Sequence, residues 1–228
     1  MGQDESRADA PTPRTRIVHE LVPFESVRGH GSVHRFRVPL AHARLSFVDL
    51  HYETPLINVL GKHQLLINGG YWAYQGSAKK IQGLLVVNGT EHAPRANNLS
   101  GGVLEIRAGR GRRFGSDQPL QPGDATLAIQ CNPRLVDKRR VIPKLESARL
   151  AARTALCLRD DGAILDAYLT HDDTRTTLAE LGAFLVAEGC QAALNLDGGP
   201  STAAAFRDGK RLLTIGLGEA LPYGLAFD

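Results

Sequence analysis

The residues best placed to do chemistry lie in one stretch, Gln191 to Phe206. A short apolar run through Ala193, Leu194 and Leu196 reads as a buried strand. It ends at Asp197, breaks at Gly198-Gly199-Pro200 and resumes through Ser201-Thr202. Asn195 and Asp197 are two apart, so in a strand they share a face. The glycine pair lets a ligand approach the main chain without a Cβ in the way. Successive N–H groups in such a turn can form an anion-binding concavity. An amide, a carboxylate, a glycine turn and two hydroxyls therefore converge on one spot. The same residues also fit a tight turn whose aspartate bonds its own backbone.

A second strand ends in the same way. Gln64–Ile67 runs into Asn68-Gly69-Gly70-Tyr71-Trp72, again an amide followed by a glycine pair. Two such endings predict two walls of one pocket, although Tyr71 and Trp72 equally suit aromatics that cover a core.

The elements that must position these ends are mostly strands. Ile17–Val22, Ser32–Val38 and Arg44–Leu50 read as an antiparallel meander. Gly83–Val87 leads into Asn88-Gly89, a strong hairpin signal. Val103–Ile106 and Leu127–Gln130 are further strands, and Ala155–Leu158 with Ile164–Leu169 reads as a hairpin about Asp161-Gly162. Thr177-Leu-Ala-Glu180 is a capping box, with Leu178, Leu181 and Leu185 on one helical face and Gly189 as its stop. Strand, helix, strand in that order allows a parallel crossover into the strand that ends at Asp197. Arg207–Lys210 turns a last hairpin. The expected class is α+β, a strand-rich mixed sheet with a few helices in a single domain over residues 16–228.

Residues 1–15 have the composition of a disordered tail. Met1 is the only methionine and begins nothing like a signal peptide, so the expectation is a chain whose export signal has been removed. Cys131, Cys157 and Cys190 lie in apolar surroundings without zinc spacing and read as small buried thiols, at least one of them unpaired. A net charge of +3 over 228 residues gives no argument for nucleic acid. The basic run Arg107–Arg113 reads as a solvated loop, as does Lys138-Arg139-Arg140. No stretch is long enough to span a membrane.

Other constellations carry less chemistry. His51 and Glu53 would share a strand face, and His30 and His34 are four apart in a non-helical context without ligand logic, so neither pair is expected to bind metal; His171-Asp172-Asp173, which could grip a cation or hydroxyls, reads as a loop. No Walker lysine, dinucleotide fingerprint or Gly-x-Ser-x-Gly elbow is present. Neither a metal nor a cofactor is expected.

Asn68-Gly-Gly-Tyr71, Gly83-Leu84 before Asn88-Gly89, Arg153-Thr-Ala155 and Asn195-Leu-Asp-Gly-Gly199-x-Ser201 occur in the order that marks the phosphodiester glycosidase family, which the chain resembles over roughly residues 60 to 215. It departs from that pattern at Pro200, Trp72, Gln82 and Asn132. The resemblance implies an α+β fold and hydrolysis of a sugar-1-phosphodiester, in the periplasm or secreted. It makes Asp197, Asn68 and Arg153 the catalytic candidates. Gly69, Gly70, Tyr71, Asn195, Gly198, Gly199, Ser201 and Thr202 become the substrate-binding candidates.

The chemistry is consistent with one dominant carboxylate. Glycosidases commonly use a pair, one protonating the leaving oxygen. A departing phosphate monoester is already a stable anion, so a single base or nucleophile at Asp197 can suffice. Arg153 offers a planar fork for two phosphate oxygens. A carbohydrate- or phosphate-binding module without turnover is the alternative, and the presence of Asp197, Arg153 and Asn68 together favours the enzyme. The expected partner is a sugar phosphodiester or glycan; oligomeric state is not legible.

Overall fold

The computed structural model describes residues 16–27, 29–51, 54–115, 122–216 and 221–228. The expected tail over residues 1–15 and Glu53 lie outside the described residues.

Strands dominate. The chain is 49% strand and 12% helical, so the α+β label gives way to a mostly β architecture. A seven-stranded sheet has the order 18–26, 29–39, 164–169, 154–159, 192–195, 134–137, 140–141. A five-stranded sheet has the order 211–215, 204–208, 65–68, 223–227, 45–49. A second five-stranded sheet has the order 110–114, 102–107, 127–131, 85–87, 90–93. Strands 72–75 and 78–81 form a separate hairpin.

The inner faces of the three large sheets meet in one apolar cluster. Phe36, Leu156 and Leu194 come from the seven-stranded sheet, Leu65, Ile67 and Phe227 from the second, and Leu85, Leu104 and Ile129 from the third. Burial at this density, about 25 cal/mol per Å² of apolar surface removed from water, is what holds the sheets together.

The capping box forms as its spacing predicts. Thr177 caps the helix Leu178–Ala187, its hydroxyl accepting from the Glu180 N–H while the Glu180 carboxylate accepts from the Thr177 N–H. Leu178, Leu181 and Leu185 pack on Val33, Val136, Ala155 and Tyr168, on the far side of the seven-stranded sheet from the main core. Gly189 follows with φ +82°, a conformation that suits glycine at a helix end.

The parallel crossover is not formed as a pair. All pairings among the described strands are antiparallel. Strand 154–159 inserts between 164–169 and 192–195 and pairs antiparallel with both. The two strands joined by the helix thus run parallel to each other without touching.

The basic run is corrected too. Arg107 and Arg110–Phe114 belong to a hairpin with 102–107, turned at Ala108-Gly109 with positive φ at both. The thiol expectation changes as well: Cys157 and Cys190 form a disulfide with Cα atoms 5.8 Å apart, and only Cys131 stays free and buried. Leu156 and Leu158 flank Cys157 while Gly189 and Gln191 flank Cys190, and neither local setting distinguishes a pair from two thiols.

Candidate active site

Both strands that end in an amide and a glycine pair are interior strands of different sheets. Strand 65–68 lies between 204–208 and 223–227, and strand 192–195 between 154–159 and 134–137. Every residue of Leu65–Asn68 is buried. The two ends meet directly. Asn68 Nδ2 donates to the Asp197 carbonyl at 2.9 Å, and the Asp197 N–H donates to the Gly69 carbonyl at 3.3 Å.

Asn68 is fully buried and engaged at both ends of its amide. Nδ2 also donates to the Gly69 carbonyl at 3.1 Å, while Oδ1 accepts from Thr154 Oγ1 at 2.7 Å and Ala203 N at 3.1 Å. Its two donors and two acceptor positions are filled by protein. This geometry ties three segments together and leaves no position for a sugar hydroxyl, which differs from the substrate-facing role expected of Asn68.

Three of the four glycine N–H groups are engaged as well. Gly70 N donates to Tyr223 Oη at 2.7 Å, Gly198 N to Asp197 Oδ1 at 2.9 Å and Gly199 N to the Ala152 carbonyl at 2.7 Å. The expected anion concavity is therefore filled from within, and the tight-turn arrangement, an aspartate accepting from its own backbone, is present. Gly69 is required for packing: a Cβ there would sit 2.2 Å from Tyr223 Cε2 and Cζ. Gly198 is extended at φ −134°, whereas Gly199 has φ +62°.

Asp197 itself is half-buried. Burial raises its pKa, opposed by hydrogen bonds from the Ser201 hydroxyl and the Gly198 N–H. The carboxylate is thus oriented on one side by its own turn and is a better proton acceptor than an exposed aspartate. Tyr71 is close by. Burial, with Cys131 and Asp197 adding to it, raises its pKa, so it stays a hydroxyl, donating to the Asn132 carbonyl at 2.5 Å.

Asn195 is 1% exposed, its Nδ2 lying 3.0 Å from Tyr71 Oη, 3.1 Å from the Asn132 carbonyl and 2.7 Å from the Leu196 carbonyl. Its Oδ1 is buried without a hydrogen-bond partner.

Arg153 does not present the open fork expected of a phosphate clamp. It is 8% exposed, with Nε donating to the Thr176 carbonyl at 3.2 Å and Nη2 to the Arg149 carbonyl at 2.8 Å. Nη2 also lies 3.6 Å from Glu146. Burial lowers its pKa, with Glu146 opposing. The side chain passes beside the turn, since a Cβ on Gly198 would lie 3.7 Å from Arg153 Cδ.

The other face of the turn is open. Gly199, Pro200 and Thr202 are among the residues that line a cavity of about 460 Å³. Thr202 is 3% exposed and its Oγ1 has no hydrogen-bond partner. Ser201 is buried in the same turn. Asp166, another carboxylate of the strand-rich core, is held by Arg37 at 3.0 Å through both oxygens and by Arg159 at 2.5 Å, a structural ion-pair group.

Reasoning from sequence missed Thr154 and Tyr223. Thr154 sits inside the Arg-Thr-Ala motif; Tyr223 opens an apolar run, Tyr223–Phe227, that could have been read as a strand. No group of three or more His, Cys, Asp or Glu placed to hold a metal occurs among the described residues.

The fold is one found in proteins of very different sequence. A hypothetical protein from Synechocystis matches with a TM-score of 0.70 at 14% identity, over 97% of this chain and 64% of the other, so the chain spans less than two thirds of that protein. The zebrafish N-acetylglucosamine-1-phosphodiester alpha-N-acetylglucosaminidase catalytic domain, auto-inhibited by its pro-peptide, matches with a TM-score of 0.68 at 18% identity, over 95% of this chain and 84% of that one. No curated protein matches the sequence. The phosphodiester glycosidase family model matches residues 62–220, and the chain belongs to that family.

Proposed function

We propose that the chain hydrolyses the glycosidic bond of a sugar-1-phosphodiester, with Asp197 as the catalytic carboxylate. The observation that carries this reading is the half-buried Asp197 carboxylate, oriented by Ser201 and Gly198 and raised in proton affinity by burial. The family and the substrate named in the zebrafish relative support the substrate class.

In the proposed step the water oxygen bonds to the anomeric carbon and its proton passes to Asp197. The carbon–oxygen pair to phosphate breaks, and its electrons leave with a phosphate monoester. That leaving group needs no protonation, so no second carboxylate is demanded. Asn68 and Thr154 are positioning residues that fix the main chain on either side of Asp197. Ser201 orients the carboxylate by a hydrogen bond, Tyr71 and Asn195 lie beside it, and the unpartnered Asn195 Oδ1 is the acceptor left for a sugar hydroxyl.

The Cys157–Cys190 disulfide supports a secreted or periplasmic setting, because disulfides persist in oxidising compartments. No helix among the described residues is long and apolar enough to cross a membrane.

Reducing-sugar release from a panel of sugar-1-phosphodiesters tests the reading. Asp197→Asn keeps shape and should bind substrate, yet lose turnover by roughly a hundredfold or more. Wild-type kcat should fall as pH drops through a pKa above the usual aspartate range, since only the ionised base works. Turnover of Asp197→Asn close to wild type would reject the residue. A wild type that binds sugar phosphates and cleaves none would be a binding module.

A further inference from the structure

We infer that the cavity beside the Asp197 turn seats the phosphoryl half of the substrate, gripped by Arg149 and Arg175 rather than by Arg153; this rests on the hydrolase reading above.

The cavity is lined by Gly199, Pro200 and Thr202 of the turn together with Arg149, His171 and Arg175. None of the described residues that line it carries a carboxylate. A volume of about 460 Å³ is in the range of small-molecule sites. Two guanidinium groups suit a phosphate, which takes planar, charge-assisted hydrogen bonds. Thr202, whose Oγ1 has no hydrogen-bond partner, lines the same cavity and adds a neutral donor. A buried hydroxyl without a partner is costly, and a phosphate oxygen would satisfy it.

The arginines are held in register by the fold. Ala151 and Thr176 pair as an isolated bridge, with N–H to carbonyl distances of 3.2 and 3.0 Å in the two directions. Arg149 lies two residues before one member of that bridge and Arg175 one before the other. The buried Arg153 side chain braces the same two segments by donating to the carbonyls of Arg149 and Thr176. The motif arginine is in this view a positioning residue for the exposed pair.

The arrangement also matches the proposed reaction. Asp197 is not itself a lining residue, but it begins the turn whose later residues, Gly199, Pro200 and Thr202, line the cavity, so one loop carries both base and phosphate site. Positive charge aimed at a departing phosphate stabilises the charge that develops on its oxygen as the bond breaks.

The test titrates inorganic phosphate at low salt into wild type, Arg149→Gln, Arg175→Gln, the double variant and Thr202→Val, following heat and melting temperature. The same proteins are assayed on the cleaved phosphodiester. Wild type should bind phosphate saturably. The double variant should lose at least tenfold in phosphate affinity and in kcat/KM, with the ligand-free melting temperature within about 2 °C of wild type, because both side chains are exposed. Thr202→Val should weaken phosphate binding by a smaller factor. Lysine at both positions should restore part of the affinity, as charge is kept and the fork lost. No saturable phosphate binding by wild type, or unchanged affinity and kcat/KM in the double variant, would overturn the phosphate site. Phosphate binding that depends on the arginines in a protein that cleaves no phosphodiester would instead keep the site and reject the hydrolase.

Discussion

Gly69→Ala probes how tightly the two strand ends are locked. The added Cβ would lie 2.2 Å from Tyr223 Cε2 and Cζ and 2.7 Å from Cδ2. Carbon atoms pack at about 3.5–4.0 Å, so the ring or the strand must retreat by roughly 1.3–1.8 Å. Tyr223 is 1% exposed and its hydroxyl accepts from Gly70 N at 2.7 Å, so the ring has no free space and a retreat of that size breaks the bond. Overpacking costs about 1–3 kcal/mol. Orphaning the Gly70 N–H adds about 1–3 kcal/mol. The sum is about 2–6 kcal/mol, a fall in melting temperature of roughly 5–20 °C for a chain of this length. Thermal and urea melts of Gly69→Ala, Tyr223→Leu and the double variant measure it. Removing ring atoms makes room for the methyl, so in the Tyr223→Leu background Gly69→Ala should cost less than about 1 kcal/mol. A melting temperature of Gly69→Ala within about 2 °C of wild type, or equal decrements in both backgrounds, would refute the reasoning.

Three further outcomes follow from the geometry. Gly199 has φ +62° and open space where an alanine Cβ would sit, with no neighbouring atom within 4 Å, so Gly199→Ala should cost about 1–2 kcal/mol through backbone strain alone, and Gly199→Asn less; equal melts for the two would sink the argument. The Cys157–Cys190 bond closes a separation of 33 residues, so Cys157→Ala/Cys190→Ala should lose roughly 3.5–4 kcal/mol, and wild type denatured without reductant should titrate one thiol; three would disprove the pairing. Burial foremost, with His19 and His171 adding to it against Asp173, lowers the His34 pKa to about 4. The unfolded chain therefore takes up that proton first, and stability should fall as pH drops from about 6.5 toward 4. His34→Gln should flatten that slope in urea melts at successive pH values, and an unchanged slope would count against it.

Much of the fold was legible because its signals are local. Short β-type runs bounded by turn residues marked the strands 29–39, 102–107, 127–131, 154–159 and 164–169, and Thr177 with Glu180 marked the helix start. Short or polar strands escaped. Trp72–Gln75, Ala78–Ile81 and Arg110–Phe114 have little apolar alternation of their own and are strands because a hairpin partner supplies their hydrogen bonds. Asn68 and Asp197 could be named as neighbours from their matching strand endings. What each residue does there was decided by contacts distant in sequence. Asn68 is engaged by Thr154, Asp197 and Ala203, up to 135 residues away, and a motif cannot announce that an amide will be saturated. Arg153 reads as a clamp until the fold brings the carbonyls of Arg149 and Thr176 to its guanidinium. The cysteine pair and the cavity are of the same kind. Residue type and spacing determine which groups the chain owns and which strand ends carry them; only the packing of three sheets decides which polar groups are satisfied from within and which still face open space.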